Sequence, residues 1–182
     1  GRTLTVKAPA DLTATTLQVA GNSLLTSGAD LSVTTFDGQG DLVANAGGDL
    51  SVGNGTVGGS ATLSSVGTTT IDTLSTHGTL DVTSGAALAA RVLSSEAAML
   101  LSSGDTLDVQ QLISGDRLDA EAVGTLSIAE AAVTGDASIN GESEVVLGQA
   151  TVGQTLTVNA ATDLTATTLQ VAGNSLLTSG AD

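Results

Sequence analysis

Asp11, Asp30 and Asp49 stand 19 residues apart, and Glu144, Asp163 and Asp182 repeat that interval further along the chain. Carboxylates at a fixed interval can share protons, hold a cation, or serve a turn that enters a strand. Calcium between successive acids needs roughly six to eight oxygens per ion. The nonapeptide G-G-x-G-x-D-x-U-x of calcium β-rolls is absent from the chain. The stronger expectation is the turn role, with the side chains splayed into water, and no metal or cofactor site is assigned. His77 is the only histidine. General-base work would need an oriented partner, and the sequence offers none that can be identified. It shares its phase with Gly1, Gly58, Gly115 and Gly153, which marks an outside corner. Arg2, Lys7, Arg91 and Arg117 fall at different phases or in distant units. They do not build the clustered groove of a polysaccharide-cleaving enzyme, so no catalytic residue is assigned and the chain is not expected to be an enzyme. Thr13/Thr15 and Thr165/Thr167 begin a Thr-x-Thr ladder of the ice-ordering kind. It is lost at Ser32/Thr34, Ser51/Gly53, Thr70/Asp72 and Ala89/Arg91.

What positions all of these residues is a repeat. Gly1–Asp30 recurs as Gly153–Asp182 with changes only at Arg2/Gln154, Lys7/Asn159, Pro9/Ala161 and Ala10/Thr162. In rows of 19, the column from Val6 reads Leu25, Ala44, Leu63, Val82, Leu101, Ala120, Ile139, Val158 and Leu177, all aliphatic. The columns from Leu12 and Ala14 behave alike, broken once, at Thr69. A 38-residue superperiod alternates Leu4, Leu42, Leu80, Leu118 and Leu156 with the mostly smaller Ser23, Ala61, Met99, Ala137 and Ser175. Large and small side chains alternating up a stack is what close packing asks for.

Apolar pairs at columns 4/6, 12/14 and 17/19 predict strands with one face buried. Each should be about four or five residues long. Recurrent glycines (Gly21, Gly40, Gly59, Gly78; Gly28, Gly47, Gly85, Gly104) predict corners with positive φ. Ala86–Leu101 has the best local helix propensity but keeps the 19-residue register, and is read as strand and turn. The predicted fold is all-β: a right-handed parallel β-helix of about nine to ten 19-residue coils, roughly 45 Å long at about 4.8 Å per coil.

Composition agrees. Of 182 residues 41% are hydrophobic, Phe36 is the one aromatic, and Cys is absent. Four Lys+Arg against 19 Asp+Glu give a net charge of −15, which argues against nucleic acid, polyanions and anionic lipid as ligands. No apolar run is long enough to span a membrane as a helix. Residues 1–182 are expected to be one repeat segment cut from a longer array, with no separate domains. Its uncapped strand edges are expected to associate end to end.

The phrases GRTLTV (1–6), GGDLSV (47–52), GDTLDV (104–109) and GQTLTV (153–158), set in this 19/38 period, resemble the shaft repeats of the filamentous haemagglutinin family. These are large exoproteins of Gram-negative bacteria exported by two-partner secretion, and the resemblance covers the whole chain. It implies a secreted, cell-surface virulence adhesin, exported through an outer-membrane transporter. Its partners would be host-cell surfaces or sister fibres, bound by the parent protein. The alternative is that the repeat face is itself a multivalent binding module. The family's Arg-Gly-Asp triplet is missing, since Gly115-Asp116-Arg117 holds the same residues in another order, so no binding residue carries over.

Overall fold

The structure, a computed structural model, describes residues 2–180; Gly1 and Asp182, both named above, lie outside the described residues. Its strands, numbered β1 to β19 in chain order, alternate between five and eight residues. The series opens with β1 (Leu4–Ala8) and β2 (Leu12–Val19) and closes with β18 (Leu164–Val171) and β19 (Ser175–Ser179). Odd-numbered strands form a ten-stranded parallel sheet and even-numbered strands a nine-stranded one. Leu4 pairs with Ser23 and Leu12 with Leu31, so each coil lies 19 residues above the last. The chain is a parallel β-solenoid, and the register holds to the final pair without slippage. Ala86–Leu101, the segment with the best helix propensity, contributes to β10 (Leu88–Ser95) and β11 (Met99–Ser103).

The second strand of each coil is longer than the side-chain pattern predicts. Inward residues at columns 12 and 14 are followed by two outward residues before columns 17 and 19, as in β12 (Leu107–Ser114) with its alternating burial broken at Gln110 and Gln111. Inter-coil pairing skips one residue there, passing from Val109↔Ile128 to Gln111↔Glu130. The strand therefore runs continuously over a corner, and the bore has three walls: columns 4–8, 12–14 and 16–19. The first wall also has a third inward column, which holds only small residues: Ala8, Ser27, Ala46, Ser65, Ser84, Ser103, Ala122, Gly141, Ala160 and Ser179.

The bore is packed with aliphatic side chains. Leu31, Leu50, Leu88, Leu107 and Leu126 in one column are wholly buried. Thr69, which breaks that column, is equally buried, and its hydroxyl meets Ser65 Oγ at 2.8 Å. Phe36 takes the space of two side chains, since a Cβ on Gly38 would strike its ring; at Gly55, which follows Phe36 in its own column, the room is taken by Leu74. Members of the first and last coils, including Val6, are only partly covered.

The glycine prediction fails in mechanism. No described residue has positive φ. Glycine is required instead by the close approach of stacked turns: a Cβ on Gly47 would run into the Gly28 carbonyl, and one on Gly104 into that of Gly85.

One defect in the bore yields a prediction. Ser23 is 2% exposed and its hydroxyl has no hydrogen-bond partner. Ala61 and Ala137 occupy the same column, so alanine fits the space. Ser23→Ala should therefore raise unfolding stability by about 1–2 kcal/mol, read as a higher denaturation midpoint. A lower midpoint would mean that the hydroxyl is satisfied.

Candidate functional site

Three members of the acid column, though exposed, turn back onto the next coil, while Glu144 and Asp163 make no such bond. Asp11 Oδ1 accepts the backbone N–H of Asp30 at 3.3 Å, Asp30 Oδ1 that of Asp49 at 2.9 Å, and Asp49 Oδ1 that of Thr68 at 2.7 Å. Each carboxylate reaches up one coil and holds a turn amide that the sheet ladder leaves unpaired. The two shorter bonds are those in which glycine precedes the receiving residue. The oxygen of Asp30 sits where a Cβ on Gly48 would be, and that of Asp49 where one on Gly67 would be. Ala29 stands at that place before Asp30, where the bond is longest. At the second corner described next, Gln154 precedes Thr155 and the bond still forms at 2.9 Å, so glycine eases the rung without being essential.

A second ladder runs up the opposite end of the short strands, one that the sequence reading missed. Asn22 Oδ1 accepts from Asp41 N at 3.1 Å, Asp41 Oδ1 from Ser60 N at 3.0 Å, and Ser60 Oγ from Thr79 N at 3.1 Å. Asp136 does the same for Thr155. The four that accept differ in residue type but not in chemistry: each is a short side chain with an acceptor oxygen. The lower rungs end at Thr68 and Thr79, and above them Ala87, Ala98 and Arg117 offer no short acceptor to continue either column. A further set of buried hydroxyls closes the corners from within. Ser103 Oγ lies 2.7 Å from both the Thr106 and Ala86 carbonyls, and Ser84 Oγ 2.8 and 2.9 Å from those of Ala87 and Gly67.

This arrangement binds one coil to the next. Among the described residues no three His, Cys, Asp or Glu side chains converge as a metal site would need. Asp49→Ala should cost about 1 kcal/mol, within roughly 0.5–2 for loss of a capping acceptor. Asp49→Asn should cost little, because Asn22 already does this work with an amide oxygen. Thermal melts of both variants, with and without Ca²⁺, check the assignment. A Ca²⁺-dependent rise in melting temperature that Asp49→Asn abolishes would make the column a cation site.

The remaining polar residues are dispersed. His77 lies on an exposed corner, as expected, but it does have a partner: Glu96, one coil above, with Nε2–Oε1 at 3.7 Å. Its Nδ1 lies 3.4 Å from the Val57 carbonyl. Both side chains are more than half exposed, and the 3.7 Å separation is beyond hydrogen-bond range. Arg91 binds the Asp72 carboxylate and donates to Thr73 Oγ1 at 2.8 Å. Arg117 pairs with Asp119 at 2.7 Å. Arg2 and Lys7 sit in the first coil, away from both. Thr13 lies on a strand face and Thr15 at the corner where pairing is skipped, so the two do not share a flat ladder.

Two carboxylates respond to pH in opposite senses. The Arg91 guanidinium bound to Asp72 holds that carboxyl below its ordinary value of 3.8. The stabilisation it gives is present above pH 3.8 and is lost as pH falls through the lowered value. Asp81, partly desolvated on the outer face of the short strands, is pushed above 3.8. It opposes folding at neutral pH and ceases to do so as pH falls through its raised value. Asp81→Asn should therefore be stabilising at pH 7 and neutral in strong acid, as read by melts across the acid range. Equal effects at both ends would contradict this.

Outward apolar residues are few. Leu24 and Val43 occupy adjacent coils of one outer column, which continues to Leu100 and Leu176. Val66, Val123 and Ile113 are exposed elsewhere. Comparison with protein-family models, curated proteins and solved structures finds no match to this chain.

Proposed function

We propose that the chain is a structural shaft of a secreted bacterial surface adhesin, a rod that holds a binding region away from the cell. One observation carries the reading: three-residue turns join every strand to the next, and pairing at an offset of 19 never breaks. A solenoid of this kind has neither lid nor loop long enough to wall a substrate groove, and function on such scaffolds is usually built in loops. The corner ladders and the continuous bore serve stiffness along the axis. Acidic corners and hydroxyl-rich faces keep neighbouring rods soluble and apart.

The resemblance of the GxTLxV phrases to filamentous haemagglutinin shafts supports the setting: two-partner secretion through an outer-membrane transporter, residence at the bacterial surface, and attachment to host cells or sister fibres through the parent protein. Absence of Cys suits a chain that crosses an oxidising periplasm unfolded. The test compares this chain with a consensus solenoid of equal length and charge on epithelial cells, phagocytes and bacteria of its own kind. The shaft reading expects no saturable binding above that control. Saturable binding that persists after Ile113→Ser, a change at an exposed side chain, would overturn it and place adhesion in the repeat face at large.

A further inference from the structure

Ile113 projects from the outer face of the long strands with 42% of its surface exposed. The rod is hollowed around it. Ser94, Ala132 and Thr151 are its short neighbours in the same column, and the adjoining corner alternates Gly115 and Gly153 with Glu96 and Thr134. The result is a shallow, mostly apolar groove of about 480 Å³ running along the axis over four coils, with Glu96 at one end as its only charged lining residue. A second depression of about 230 Å³ shares Ile113 and Ala132 and carries Glu130 as its only charge. The same coil places Ala97 and Ala98 at the corner and Leu100 on the next wall. This is the anatomy of a small interface, an apolar centre with a charged rim.

We propose that this face docks a segment of another protein that sets an aliphatic or aromatic side chain over Ile113 with lysine or arginine on either side. Charge fixes the class of occupant. Glu96 faces His77 at 3.7 Å and Glu130 accepts from Gln111 at 3.3 Å. Gln111 is an uncharged amide, and the His77 contact lies beyond hydrogen-bond range. Arg91, which lines the next depression with Glu130, is committed to Asp72 and Thr73. A second copy of this chain would bring another −15 against the same carboxylates, and an anionic membrane is repelled for the same reason. A basic segment with one apolar anchor gains from both features: the anchor covers Ile113, and the cations meet carboxylates that lack them. The inference is independent of the shaft reading, since a rod with or without adhesive ends could carry the patch.

The probes are two short peptides of equal positive charge, one alternating Lys and Leu, the other Lys and Ser, followed by fluorescence anisotropy on the full chain. Ile113→Ser alters an outward side chain, and unchanged circular dichroism and melting confirm its fold. The Lys–Leu peptide should bind the unaltered chain about tenfold more tightly than the Ile113→Ser variant, while the Lys–Ser peptide binds both alike. Glu96→Gln with Glu130→Gln should weaken Lys–Leu binding at low salt, and Asp11→Asn with Asp30→Asn, an equal charge change at a distant corner, should not. Equal binding by the chain and Ile113→Ser would overturn the proposal. So would equal losses from the two carboxylate pairs, which would reduce the interaction to a general attraction of polycations.

Discussion

Ile128→Asp is expected to abolish the cooperative unfolding transition of the coils around it. Ile128 is 1% exposed, and Val109 and Leu147 flank it in the same column one coil below and above. A carboxylate forced into that bore has neither cation nor amide to meet it, since the walls are aliphatic and the backbone is committed to the sheet. Burying it unpaired costs several kcal/mol, and the branched chain that filled the space is lost as well. A penalty above about 5 kcal/mol is expected, read as loss of the β-sheet dichroism or of the melting transition. The same change at Val6 should do much less, because that member of the first coil is only partly covered and its carboxylate can reach water. Equal melting curves for Ile128→Asp and the unaltered chain would show that the column does not face inward.

Phe36→Ala should follow with a loss of about 3–5 kcal/mol. The ring is 2% exposed and fills the place that a side chain at Gly38 would take. A glycine cannot move in to fill the gap, so the site cannot collapse as an all-leucine layer would. The cost should fall when Gly38 is changed to Val in the Phe36→Ala background, since the ring is what a side chain there would strike and valine is the usual occupant of that column. The double variant, compared with both single variants by chemical denaturation, measures this coupling. Additive losses would show that Gly38 is not there for the ring.

Much of this architecture is legible in the side chains alone. An inward residue every second position gives strands, and repetition at 19 with no insertion gives stacking. The step from column 14 to column 17 already implies a corner, because an odd spacing reverses the face unless one residue turns the chain. Strand length is not legible, because backbone pairing continues over that corner and side-chain periodicity carries no record of it. Glycine's role was misread for a similar reason. A conserved phase says that a Cβ is unwelcome, but φ and the carbonyl of the coil below exclude it equally well, and only coordinates separate the two. The carboxylate column stood out because Asp repeats. The ladder through Asn22, Asp41, Ser60 and Asp136 is hidden by its varied residue names and becomes visible when short acceptors are grouped as one class. The pairing of His77 with Glu96 follows from the same 19-residue offset, applied to the corner columns as to the core.

The central claim is that the 19-residue coil is the unit of both folding and length. Removing residues 77–152 joins Thr76 to Gly153, takes out four whole coils and preserves the large–small alternation where Ala61 would meet Leu156. Small-angle X-ray scattering should then show the rod shortened by about 19 Å, at about 4.8 Å per coil, with its β-sheet dichroism retained. A deletion half a coil longer or shorter should unfold, because it rotates every inward column onto the wrong wall. If the four-coil deletion fails to fold, or folds without shortening, the stacked-coil shaft is contradicted.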